Sequence, residues 1–125
     1  MNLRSVLLLF TVIFLICPIR VNAQASGQAP VKEAEQLDFA QGLISRGMYD
    51  MAILQCRKFI ADYPRSTFLQ EAYLSLGEGY FLSQDFKKAV DTFNQFNQLY
   101  PHSEQLPVSL LRLGQMDIQD RKSVV

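Results

Sequence analysis

Shifted against itself by 37 residues, the sequence falls back into register, and a chain with that period folds as a row of like units, not as one irregular core. Tyr49 lands on Phe86, Ala52 on Ala89, Phe59 on Phe96, Tyr63-Pro64 on Tyr100-Pro101, Ser66 on Ser103 and Gly77 on Gly114. From Phe39 on Leu76 to Gly77 on Gly114, ten of 39 aligned pairs are identical. Unrelated sequence would give roughly two or three, so the repeat is not a product of composition.

The spacing inside each unit is helical. Tyr49, Ala52, Ile53, Cys56, Phe59, Ile60 and Tyr63 stand at offsets of 3, 4, 7, 10, 11 and 14, and Phe86, Ala89, Val90, Phe93, Phe96 and Tyr100 follow the same pattern. Upstream, Leu69, Ala72, Tyr73, Leu76, Gly77 and Tyr80 make another amphipathic face, and Ser83-Gln84-Asp85 supplies the polar break between the two. Each unit is thus expected to be a helical hairpin. Pro64 and Pro101 end the second helix of each pair, because proline disfavours helix at the preceding residue and donates no hydrogen bond. Ser66 is expected to cap the helix that follows, and Pro107 fits a first helical turn. Together these signals predict an all-α chain of five helices over about 33–46, 49–62, 67–83, 86–99 and 107–119, with no strand pattern anywhere. Gly77, Ala52 and Ala89 are expected where two backbones approach closely.

The first two dozen residues read as an address. Arg4 precedes an apolar run from Val6 to Cys17, followed by Pro18 and the small-residue site Val21-Asn22-Ala23. Residues 1–23 are therefore expected to be a secretory signal peptide, residues 24–32 a flexible linker and residues 33–122 the repeat domain. The uncharged run from Ser5 to Ile19 is 15 residues long and holds Pro18, short of the roughly 20 needed to span a bilayer. Localisation is accordingly expected to be periplasmic or secreted, with a mature chain that does not span a membrane. A lipoprotein anchor through Cys17 is the weaker alternative, since bulky Ile16 sits where a small residue is normally needed. Cleavage after Ala23 would leave a net charge of about −2 and Cys56 as the one cysteine, so packing rather than a disulfide has to hold the fold.

Composition removes several functions. The 125 residues balance 12 basic against 12 acidic side chains, which gives no electrostatic case for a nucleic-acid partner. With one His and two Cys in the whole chain, no metal site is expected, and no cofactor. No catalytic constellation emerges either: Cys56 falls on a buried helix face, His102 sits in a loop, Gly77-Glu78-Gly79 lies inside a helix without the third glycine of a dinucleotide loop, and Glu71 and Glu78 are two groove charges seven residues apart.

In the middle unit Leu76, Gly77, Tyr80, Ala89, Phe93 and Pro101 stand at the signature spacing of the tetratricopeptide repeat, and the chain resembles that family from about residue 36 to 119. Tyr73 replaces the usual Trp, and Phe96 is larger than the usual Ala. The first unit keeps Ala52 and Pro64 but carries Ala40 for Gly and Cys56 for the aromatic; the third keeps Leu113 and Gly114. The resemblance implies a right-handed α–α superhelix of two full repeats plus a C-terminal capping helix, and leaves open whether the array is truncated. The period and the Tyr-Pro-x-Ser junctions are most similar to the envelope scaffolds linked to the Tol-Pal system and to outer-membrane protein assembly.

Such stacking lines an inner face with the first helices. Leu37 and Ile44, Leu74 and Phe81, Leu111 and Ile118 recur there, flanked by Gln41, Glu71, Glu78 and Gln115, so these ten residues are the expected binding site for a protein or peptide partner in the envelope. The same apolar side chains could instead pack between neighbouring helices, and the sequence leaves both open. At the ends, polar Lys32, Glu35 and Gln36 suggest that nothing need pack before the first helix, while Asp120, Lys122 and Val125 echo Asp85, Lys87 and Val90 as though a third hairpin began. The last helix is then expected to be covered by more chain, a partner or a second copy, the last of which would give a homo-oligomer through the C-terminal helix. The functional expectation is a non-catalytic interaction scaffold in outer-membrane protein assembly or Tol-Pal-linked division; the alternative is an accessory repeat region of a longer cell-wall-processing enzyme.

Overall fold

The computed structural model describes residues 25–123, with side chains from Pro30 to Lys122. The signal peptide expected over residues 1–23 lies outside the described residues. Five helices follow one another: α1 (Ala25–Ser45), α2 (Tyr49–Asp62), α3 (Leu69–Leu82), α4 (Phe86–Leu99) and α5 (Leu106–Ser123). Each packs on the next, and α1 also touches α3, so the described chain is a row of antiparallel hairpins with α5 closing it.

Two stretches differ from expectation. Helix begins at Ala25, so the stretch expected to be a flexible linker is helical from there; its Ala and Gln residues favour helix although they carry no apolar period, and Pro30 sits inside α1. The break foreshadowed near Asp120 is also missing, since α5 is continuous to Ser123.

The two hairpin turns are built alike. At the end of α1 the Gly47 N–H donates to the Ile44 carbonyl (3.0 Å) and the Met48 N–H to that of Leu43 (2.9 Å); at the end of α3, Gln84 donates to Phe81 (3.1 Å) and Asp85 to Tyr80 (2.9 Å). This paired closure requires a left-handed residue, and Gly47 (φ 76°) and Gln84 (φ 65°) fill it. A side chain is strained there, whereas glycine is not. Gln84→Gly should therefore raise stability by about 0.5–1 kcal/mol, read as a rise in melting temperature of a few degrees. Asp85 next caps α4, accepting the Lys88 N–H at 3.3 Å and its ammonium at 2.6 Å, and that ammonium bond holds the carboxyl below its ordinary value.

Between units the chain turns differently from the expected serine cap. Phe68, not Ser66, is the N-cap of α3, and Ser66 Oγ accepts the Phe68 N–H at 3.1 Å one residue short of the helix. Ser103 Oγ accepts the Gln105 N–H in the same way, at 3.1 Å. After the proline that ends α2 or α4, the hydroxyl bends the chain before the helix rather than capping it.

Packing explains the small residues. A Cβ on Gly77 would lie 2.7 Å from the Phe93 ring, and Phe93 is 1% exposed, so α3 and α4 cross at a distance only glycine permits. In the first hairpin the corresponding positions are Ala40 and Cys56, both fully buried. A methyl is admitted there because the facing side chain has shrunk from a ring to a thiol. Ala52 and Ala89 are likewise fully buried. Leu76, Tyr80 and Met116 join Ala40, Cys56, Ala89 and Phe93 in the main core, and Leu37, Phe59 and Ala72 form a second cluster.

Candidate functional site

Helices α1, α3 and α5 present their residues to one hollow because spacings of three, four and seven share a helix face. Gln41, Ile44 and Ser45 come from α1, Glu71, Leu74, Ser75 and Glu78 from α3, and Gln105, Val108 and Arg112 from α5 and the residue before it; together they line a shallow, open groove of roughly 520 Å³. Ile44, Leu74 and Val108 are its apolar contribution, with Val108 52% exposed.

Polar side chains tie the groove across the helices. The Gln41 amide donates to Glu71 Oε1 at 3.4 Å and to Ser75 Oγ at 3.3 Å, joining α1 to α3. On the other side the Arg112 guanidinium donates to Glu78 Oε1 at 2.7 Å and to Gln115 Oε1 at 2.8 Å, and lies over the Phe81 ring at 5.1 Å from its centroid. Arg112 thereby straps α5 to α3 and occupies the Glu78 carboxylate, so Glu71 and Glu78 are engaged separately rather than as an acid–base pair.

Beyond that strap lies a second hollow of roughly 430 Å³, lined by Phe81, Leu82, Gln84, Phe86, Gln115, Ile118 and Gln119. The ten residues expected as one site are thus distributed. Gln41, Ile44, Glu71, Leu74 and Glu78 share the groove, while Phe81, Gln115 and Ile118 share the second hollow. Leu111 lines neither and is 62% exposed. Leu37 has to be corrected: it is 2% exposed and packs with Phe59 and Ala72, because the small Ala72 of α3 leaves room for it in the core. Leu74 and Phe81 are half-buried and also pack on the main core, so they serve fold and groove together.

Sequence reading missed Arg112, Ser75 and Val108. The repeat itself carried the signal, since Arg112 falls on Ser75 and Val108 on Glu71 at the 37-residue offset.

No reactive centre accompanies the groove. Burial pushes the Cys56 thiol up to about 12, which keeps it protonated and unreactive at neutral pH. His102 is exposed in the loop before α5. Among the described residues no three His, Cys, Asp or Glu side chains are placed to hold a metal ion, and no helix is long and apolar enough to cross a membrane.

Antiparallel hairpins repeating at one 37-residue period, stacked so that their first helices share a groove, define a helical-repeat interaction protein. A family model for the tetratricopeptide repeat matches residues 25–125, and the chain belongs to that family. Its repeats are typically non-catalytic and bind other proteins. Compared with curated proteins and with solved structures, the chain matches none.

Proposed function

We propose that the protein is a non-catalytic scaffold of the bacterial cell envelope that holds an apolar segment of a partner polypeptide against α1, α3 and α5. The observation that carries this reading is the groove itself: Ile44, Leu74 and Val108 offer apolar surface to solvent inside a frame of Gln41, Glu71, Ser75, Glu78 and Arg112. Apolar contact supplies affinity and the surrounding amides, hydroxyls and charges fix the register of a bound chain. The envelope placement rests on the Arg4, Val6–Cys17 and Val21-Asn22-Ala23 pattern. Outer-membrane protein assembly and Tol-Pal-linked division are the processes that the resemblance of the repeat junctions favours.

A photo-crosslinking residue placed at Val108 in growing cells tests this. Irradiation should give a discrete adduct with another polypeptide, whereas the same residue at Leu54, 62% exposed on α2 outside the groove, should give none. Adducts at Leu54 and not at Val108 would contradict the assignment.

A further inference from the structure

Helix α1 has a second face, away from the groove, that none of the other described residues covers. Glu35, Phe39, Gly42 and Arg46 follow at offsets of 4, 7 and 11, which places them in one stripe along α1 and the turn that follows it. None of them lines the groove. Phe39 is 51% exposed, and a Cβ on Gly42 would meet nothing within 4 Å.

The next unit shows what this face looks like when it is covered. Leu76, the counterpart of Phe39, is 7% exposed. Gly79, the counterpart of Gly42, is approached so closely by α2 that a Cβ would lie 3.0 Å from Ile53. In this fold an apolar residue with a glycine three positions on receives a neighbouring helix, the glycine making the hole for an incoming side chain. Helix α1 carries the same receptor, and none of the described residues fills it.

The stripe also complements itself. When two copies of α1 are laid antiparallel about the midpoint between Phe39 and Gly42, Phe39 of each copy faces Gly42 of the other. The same operation carries Glu35 opposite Arg46 on both sides, because the two pairs share one midpoint. Glu35 and Arg46 are exposed, and among the described residues neither has an ion-pair partner in its own chain. A twofold contact demands this reciprocity of knob with hole and of anion with cation.

We propose that the protein forms a twofold dimer through the outer face of α1, with Phe39 seated over Gly42 and Glu35 paired with Arg46 across the axis. The contact is independent of what occupies the groove, and it involves α1, not the C-terminal helix. A single helix stripe buries little surface, so the dissociation constant should be on the order of 10 µM.

Sedimentation equilibrium of the purified chain with a charge-exchange cycle tests the proposal. Glu35→Arg and Arg46→Glu each bring like charges together and should each raise the dissociation constant about tenfold, while the combined variant should return to within about threefold of wild type. Gly42→Leu fills the hole and should leave a monomer with unchanged helical circular dichroism, since its Cβ meets nothing within 4 Å among the described residues. A wild-type chain that stays monomeric at about 0.5 mM would overturn the dimer. So would a combined variant no better than the single ones, or association that ignores these changes and is lost with Leu111→Glu on α5.

Discussion

Gly77→Ala should lower the free energy of unfolding by about 3 kcal/mol, at the upper end of what overpacking a core costs. The added methyl would lie 2.7 Å from two atoms of the Phe93 ring and 3.0 Å from a third. That ring is 1% exposed and has no free end that could swing aside. Helices α3 and α4 would have to move apart, which also loosens Tyr80 and Ala89 of the same core cluster. For a domain of about 100 residues the melting temperature should fall by roughly 15 °C.

The first hairpin supplies the control. Its crossing carries Ala40 and Cys56 at the positions of Gly77 and Phe93, so the combination Gly77→Ala with Phe93→Cys copies a pair the fold already accommodates. Phe93→Cys alone removes a buried ring and should cost about 3 kcal/mol. The double variant should lose at least about 1 kcal/mol less than the two single losses added, as expected of residues that share a contact. Strict additivity in denaturant unfolding would show that methyl and ring do not compete for one space.

The same pair shows how far the fold could be read beforehand. Helices α2 and α4 have the expected limits because their buried residues recur at helical spacing and Pro64 and Pro101 prevent continuation. The start of α1 was hidden because the sequence over residues 25–29 has no apolar period, and periodicity responds only to a face. Ser66 looked like a cap because a serine ahead of a helix is usually one; here the hydroxyl is used two residues earlier, on the Phe68 N–H. At the amino-terminal end, polar Lys32, Glu35 and Gln36 suggested a finished surface, yet Phe39 and Gly42 leave an open apolar position a turn further on.

The inner face was legible in its rows and not in its divisions. Leu74 and Ile44 were visible because they recur seven residues from Phe81 and Leu37. That Leu37 would sink into the core depended on the size of Ala72, a residue of another helix, and no pattern along α1 expresses it. Arg112 was missed because its counterparts in the row are small or acidic, Ser75 and Asp38. Its planar guanidinium can satisfy Glu78 and Gln115 while lying over Phe81, and by doing so it splits one expected trough into two hollows.

The groove as the seat of a partner is most directly examined by calorimetric titration of the polypeptide captured at Val108 against the wild-type chain and a variant carrying Ile44→Asp with Val108→Asp. Both changes put charge on the apolar wall of the groove. Val108 is 52% exposed and neither residue belongs to a buried core cluster, so the melting temperature should stay within a few degrees of wild type. The account predicts that the dissociation constant rises at least about 30-fold, equivalent to about 2 kcal/mol, as expected when central apolar contacts are lost. Equal affinity for the two proteins, with the fold of the variant intact, would contradict it.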